Sequence, residues 1–441
     1  MMINPAKLYS TLGNPNSLVP LGVKDISSCV GMTAGSYATG KEEGFDRFID
    51  EFGTEALWLG GIPSLKWLYD KTVFKAFGLD AKIDPRNLKD MEMFEKSKKY
   101  ATTDEIKNNL EKAVPYIIEW YQNNKRDLPW RHTSDAYKIW ISEVMLQQTG
   151  VITVMDYYTR FIKEYPNIES LSKAPLERVL KLWEGLGYYS RAKNLHKCAQ
   201  KVIELGYDNL PQDKKVLQSL PGLGPYTVGA ILSIAYNEKE PAIDGNVKRV
   251  LSRVYEEKED ISKSKVLKGY QEKLALLMPD NKTREFTEAF IELGALICTF
   301  HTTPKCEECP LKSCCKAYEH NEVASYPPIK IKKEKKEVNK TVYVLEYDNM
   351  FSIYKNEEGL LNGLYVFPNK DEWLDKEELK ETLPYKIDSI IEKGVVKHTF
   401  SHVVWNMQIY LVKLKEKTSD YLFVSESEIE STYSLPTAYK K

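Results

Sequence analysis

No stretch of this sequence stays apolar for the roughly 20 residues a membrane-spanning helix needs. Its start, Met1 to Pro20, lacks the basic-then-apolar order of a secretory leader. These two absences lead to the expectation of a soluble, cytoplasmic protein with no membrane partner. Excess charge is also missing: 62 Lys and Arg stand against 63 Asp and Glu, a net charge of −1. Nucleic-acid binding therefore cannot rest on bulk charge and would need a locally basic face. A disulfide framework is missing as well. There are seven cysteines in 441 residues, and five of them crowd into positions 298 to 315. Such crowding in a chain this long suggests a metal or cluster site.

What is present is a glycine-rich turn between two helical stretches, Leu220-Pro221-Gly222-Leu223-Gly224-Pro225-Tyr226. Pro221 cannot continue the preceding helix. Gly222 and Gly224 allow positive φ and leave no Cβ between the backbone and an approaching partner. Tyr226 to Ile234 reads as the following helix, and N–H groups at a helix start form an anion site, here for a DNA phosphate. Taken alone, the turn fits an ordinary helical hairpin equally well. Downstream, Ile243-Asp244-Gly245-Asn246-Val247-Lys248 sets a carboxylate at the head of another helix.

The chain has room for roughly two to four domains. Residues 1–100 carry no recognisable motif and read as a partly helical extension, with helical spacing over Glu43 to Asp80. Residues 101–325 are almost wholly α. A lysine-rich linker follows over 326–340, serving as a solvated tether or touching DNA backbone. Residues 341–441 change to period two and read as an α+β domain, with strands over Thr341 to Leu345 and Phe351 to Tyr354, another long strand or hairpin region over His398 to Leu414, and a helix over Glu377 to Thr382.

Two carboxylates carry the chemistry. Glu143 lies in Trp140-Ile141-Ser142-Glu143-Val144-Met145-Leu146, and burial there would raise its pKa into general-acid range. Asp244 is placed to cap a helix, which favours its ionised form. One carboxyl pushed up and one pushed down suits cleavage of a glycosidic bond. Cys298, Cys306, Cys309 and Cys315 are spaced C-x7-C-x2-C-x5-C, suited to an iron–sulfur cluster or zinc, and adjacent Cys314 could replace Cys315.

Hairpin and downstream Asp together resemble the helix-hairpin-helix DNA glycosylase superfamily. Leu128-Pro129-Trp130-Arg131, Ser142 to Thr149, Gly185-Leu186-Gly187-Tyr188-Tyr189-Ser190-Arg191, Asp244 to Val247 and Leu293-Gly294-Ala295 narrow this. From about residue 103 onward the chain resembles the MutY family of adenine DNA glycosylases. The fold class expected is multidomain: an all-α helix-hairpin-helix core carrying an iron–sulfur cluster, then an α+β Nudix-like domain.

The resemblance implies an enzyme of base excision repair that flips adenine out of A:8-oxoguanine or A:G mispairs in double-stranded DNA. It would act as a monomer, nucleoid-associated in a bacterium. Glu143 would protonate adenine N7. Asp244 would stabilise the oxocarbenium-like sugar, with Tyr226 beside it and Asn246 orienting it. Trp130, Arg131 and Glu288 would line the adenine pocket. Gln148, Thr149, Leu186 and Tyr188 would contact the opposite base, with Tyr188 suited to intercalation. Gly222, Gly224 and Lys248 would meet the DNA backbone. Related lyases carry a lysine where Tyr226 stands, so base removal without strand cleavage is implied. Cys298, Cys306, Cys309 and Cys315 would bind a [4Fe–4S] cluster, with the loop around His301-Thr302-Thr303 bulging to absorb one extra residue. Phe400-Ser401-His402 would read 8-oxoguanine. The C-terminal region lacks the glutamate-rich box of Nudix hydrolases, so it would bind and not hydrolyse.

Overall fold

The computed structural model describes residues 109–328 and 334–440. All lie in one compact unit, Ile106–Lys441. The expected N-terminal extension, the helix start at Thr103, Cys29 and Lys330, Lys332 and Lys333 fall outside the described residues.

The helical region is built on two cores. The first helix, α1, is described over 109–124 and buries Leu110, Val114, Ile117, Ile118 and Tyr121, one face at helical spacing. Helix α2 (Ala136–Leu146) buries every residue from Ala136 to Val144 except half-buried Lys138, so it runs through the interior. Around α2 pack α3 (Val151–Glu164), α4 (Ile168–Ser172), α5 (Leu176–Leu182), α6 (Ser190–Glu204), α7 (Lys214–Ser219) and α8 (Pro225–Ala230). The second core joins α1 to α9 (Gly245–Val254), α10 (Ser264–Leu277), α11 (Thr283–Leu296) and the cysteine loop.

The expected helix from Tyr226 to Ile234 is present, but it relaxes into a π-helical stretch at Ile231–Ala235. A small apolar group, Ile139, Ala230, Ile234 and Ala242, with Tyr226 packed on it, spans from α2 to the segment leading into α9. That closeness depends on Gly229. A Cβ there would strike the carbonyl of Pro241 and lie 3.1 Å from Ala242 Cα.

The C-terminal region forms a mixed sheet whose strands run in the order β3 (Tyr365–Val366), β2 (Met350–Lys355), β1 (Lys336–Tyr347), β6 (Val403–Leu414) and β5 (Ile387–Thr399). Strands β1 (Lys336–Tyr347) and β2 (Met350–Lys355) join through Asp348 and Asn349, whose φ values of 51 and 58 suit a tight hairpin. β1 begins inside the stretch expected as linker because residues from Lys336 onward pair in parallel with β6 (Val403–Leu414). The expected strand or hairpin region from His398 is a hairpin whose first strand, β5 (Ile387–Thr399), starts well before it, and a register shift between Glu392 and Gly394 breaks its alternation. The edge pairings are β3 (Tyr365–Val366) on β2, β4 (Asn369–Lys370) on β1 and β7 (Leu422–Val424) on β2. A helix spans Lys376–Thr382, as expected.

Sheet and helices share apolar surface: Val342, Leu364, Val403, Trp405 and Met407 join the first helical core. Polar contacts fasten the C-terminal segment beside α5. Lys181 Nζ donates to the carbonyls of Ile429 (3.1 Å) and Tyr433 (2.9 Å), and Glu184 accepts from Leu435 N–H at 2.8 Å. Among the described residues no helix is long and apolar enough to cross a membrane.

Gly229→Ala is expected to cost about 2 kcal/mol by forcing α8 away from Pro241. A lowered thermal midpoint would register it, whereas an unchanged midpoint would mean the close approach is dispensable.

Candidate active site

Glu143 projects from the buried α2 and is 6% exposed. The Tyr226 hydroxyl donates to its Oε2 from the first turn of α8, 83 residues away. Burial pushes the Glu143 carboxyl up to about 7, against a smaller lowering by that hydrogen bond. The negative charges of Asp244 and Glu288 add to the rise, and Arg131 opposes it. Tyr226 is held well above the ordinary phenol range by burial and by Glu143 and Asp244, so it stays a donor.

Asp244 caps α9 as expected, accepting from Val247 N–H at 2.7 Å on Oδ1 and from Asn246 Nδ2 at 2.7 Å on Oδ2. The expectation that these bonds hold its carboxyl low needs correction. Burial outweighs them and the carboxyl is raised. Both carboxyls are therefore pushed up, and what separates them is their donors. Asp244 meets two donors that favour the carboxylate, while Glu143 meets one phenol.

Asn246 is itself held. Arg249 Nη2 donates to its Oδ1 at 2.9 Å and to Gly294 O at 2.7 Å. A Cβ at Gly294 would sit 2.5 Å from Asn246 Cβ, so α11 can approach α9 here only with glycine at this position.

Glu288 and Arg131 lie within electrostatic reach of Glu143, but neither is free to turn. Tyr121 OH donates to Glu288 Oε2 at 2.6 Å, and Arg284 Nε stands 3.4 Å from Oε1. Arg131 grips Glu292 with Nη1 at 2.9 Å and Nη2 at 2.6 Å, and Arg126 binds the same carboxylate. The expectation that Arg131 lines a pocket is thus modified: its guanidinium is committed to Glu292. Trp130, also expected there, is 6% exposed and packs edge-on against Tyr158 at 5.4 Å. The sequence reading missed Tyr121, Arg126, Glu292 and Arg249, and the only local signal was Arg249 one turn past Asp244.

In the hairpin, Gly222 has φ 78, and a Cβ there would lie 2.7 Å from Asn194 Cβ. Gly224 does not take positive φ. It sits at φ −82, ψ 171, extended because Pro225 follows it. Space above its Cα is open. Lys248 is half-exposed on α9, with its N–H bonded to Asp244 O at 3.0 Å.

Gln148 and Tyr188 both adopt positive φ, 61 and 49, in neighbouring turns. Tyr188 is 45% exposed and Gln148 is exposed, while Thr149 is half-buried. Leu186 departs from expectation: its side chain is 5% exposed in the core. Ser401 and His402 are exposed at the β5–β6 turn, and Phe400 packs edge-on against His398 (4.5 Å) and Trp405 (4.8 Å).

Cys298, Cys306, Cys309 and Cys315 are close enough to act electrostatically on one another. Cys314 instead turns inward, its thiol 3.4 Å from Leu311 O and 6% exposed. Residues between Cys298 and Cys306 form a largely exposed loop, pinched at its base by Lys305 N–H to Ile297 O at 3.0 Å. Arg253 Nη1 donates to Cys298 Sγ at 3.1 Å. Among the described residues no three His, Cys, Asp or Glu side chains converge as ligands of one ion.

Comparison with known proteins places this geometry. Residues 141–275 match the HhH-GPD superfamily of base excision DNA repair proteins, and residues 341–441 match a NUDIX domain. The adenine DNA glycosylase of Buchnera aphidicola subsp. Schizaphis graminum is 38% identical over 307 residues, covering 68% of this chain and 86% of its own length. The chain belongs to the adenine DNA glycosylase, or MutY, family. The Homo sapiens adenine DNA glycosylase is 33% identical over 366 residues, covering 68% of this chain and 67% of its own. A solved thermostable thymine-DNA glycosylase is 32% identical, covering 48% of this chain and 98% of that one at a TM-score of 0.44.

Glu292 is fully buried, and its two arginines hold it at about 2 against an ordinary 4.5. Stability from this ion pair is complete above the ordinary value and is lost as pH falls toward about 2. Glu292→Gln is expected to cost roughly 3 kcal/mol near neutral pH, by leaving buried arginine charge unpaired. Thermal melts should show the gap to the native protein closing below about pH 4.5. A gap independent of pH would contradict the assignment.

Proposed function

We propose that this chain excises adenine lying opposite 8-oxoguanine or guanine, hydrolysing the N-glycosidic bond without cutting the strand. Adenine excision in base excision repair goes with its family. The opposite base and the residue roles are our reading. The observation that carries it is the Glu143 carboxyl, buried and titrating near neutrality, within electrostatic reach of Asp244, whose carboxyl accepts from Val247 N–H and Asn246 Nδ2.

In this scheme Glu143 gives its proton to adenine N7, and the C1′–N9 electron pair leaves with the base. Asp244 acts in its carboxylate form, its oxygens held by Asn246 and Val247 N–H, and stabilises the positive sugar. Water adds at C1′ and releases its proton to a carboxylate, giving free adenine and an abasic site. Tyr226 keeps Glu143 in place. Because a phenol and not an amine follows the hairpin, no Schiff base forms there.

Gln148, Thr149 and the exposed Tyr188 face the opposite strand in this reading, with Gly222, Gly224 and Lys248 along the backbone. Ser401 and His402 read the oxidised purine, with Phe400 as their support. Residues 101–325 act as the catalytic region and 336–441 as the reader, joined through 326–335.

Cys298, Cys306, Cys309 and Cys315 fit a [4Fe–4S] cluster by donor chemistry: four thiols in mutual range beside the cationic Arg249 and Arg253. Bound there, the cluster would cross-link the 298–315 loop.

Single-turnover assays on duplexes with adenine opposite 8-oxoguanine, guanine or cytosine test the reading. Release should be fastest opposite 8-oxoguanine, with breaks appearing mainly after alkali. Glu143→Gln should still bind but lose about 10²–10⁴-fold in release. Unchanged release in that variant would overturn the acid. Breaks keeping pace without alkali would overturn the monofunctional scheme.

A further inference from the structure

Arg191 is the second residue of α6 and is 9% exposed. Burying a guanidinium normally calls for a carboxylate partner. Here its hydrogen bonds go to five backbone carbonyls and one hydroxyl. Nη1 donates to the carbonyls of Val144 (2.8 Å), Met145 (2.9 Å) and Gln147 (2.5 Å). These sit at the C-terminal end of α2, where helix carbonyls lack partners and the dipole is negative. Nη2 donates to Thr149 Oγ1 (3.2 Å), Leu186 O (3.3 Å) and Gly187 O (3.1 Å). The plane is flanked by the rings of Trp183 at 5.3 Å and Tyr188 at 5.5 Å.

One side chain therefore ties two turns together, 147–149 and 185–188. Both turns are strained. Gln148 and Tyr188 hold φ of 61 and 49, which non-glycine residues rarely adopt. Each such conformation costs on the order of 1–3 kcal/mol and persists only where the surroundings over-determine it. The Arg191 fork supplies that constraint on both turns at once. Lysine could not, having three donors on one point and no plane to stack.

We infer that Arg191 is the positioning residue for opposite-base recognition. It presets Gln148, Thr149 and Tyr188 before DNA arrives and acts through them. The role rests on the proposed reading of those turns as the opposite-base contact. It gives the enzyme a preformed wedge, so the ordering entropy of two loops is not lost on binding.

The test uses the full chain and a duplex with 2-aminopurine beside 8-oxoguanine. Insertion of Tyr188 unstacks that neighbour and raises its fluorescence. Tyr188→Ala serves as control and should abolish the rise. Arg191→Met and Arg191→Lys should each abolish it too. They should also lower the ratio of release opposite 8-oxoguanine to release opposite guanine about ten-fold. The pH midpoint of release, set by Glu143, should not move. If Arg191→Met fails to fold by circular dichroism, Arg191→Lys carries the comparison. A folded Arg191 variant with native fluorescence and native ratio would overturn the clamp. A rise that survives Tyr188→Ala would overturn the wedge reading beneath it, independently of the clamp.

Discussion

The structure depends on taking one carboxyl out of water. Glu143 sits on a helix buried on nearly all sides, and desolvation is the largest influence on its titration. That burial demands a continuous apolar jacket, which Ile141, Val144 and Met145 provide. It also demands a donor that does not deliver a full positive charge, since a cation at contact distance would return the carboxyl to its acidic range. Tyr226 meets this condition where an amine would not.

The second carboxyl arrives from the other helical core. Asp244 stands between Ile243 and Val247, both in the cluster with α10 and α11, while Glu143 stands on α2 between Ile141 and Val144 of the other cluster. The two cores meet near the pair, where Gly229 lets α8 approach Pro241, and within the second core Gly294 lets α11 close on Asn246. Arg249 then runs from Asn246 to the Cys298 carbonyl at 2.7 Å, so the cysteine loop and the Asp244 cap share one guanidinium. Lys181 and Glu184 anchor the C-terminal segment just before the turn that carries Tyr188. Each part of the site is held by a residue that does no chemistry.

How much of this could be read from sequence follows from distance along the chain. The Asp244 cap and its Asn246 partner are two residues apart, and the sequence shows them. Glu143 in its apolar run is equally local. Its bond from Tyr226 spans 83 residues, and the grip of Arg131 on Glu292 spans 161, so no local pattern announces either. The direction of the Asp244 shift was misjudged for the same reason: capping is visible locally, whereas burial is a property of the assembled fold. In the sheet, alternation marks β1 and β2, but the shift near Gly394 hides the first half of β5. Glycines in the hairpin were visible, yet only Gly222 takes positive φ, because Pro225 forces Gly224 to extend.

The central claim is that Glu143 holds its proton near neutrality inside the folded enzyme. Infrared difference titration of the native protein against Glu143→Gln isolates that one carboxyl without DNA. The account predicts a protonated carboxyl band that disappears with a midpoint of about 7. A midpoint near the ordinary 4.5 would contradict it, and with it the assignment of Glu143 as the acid.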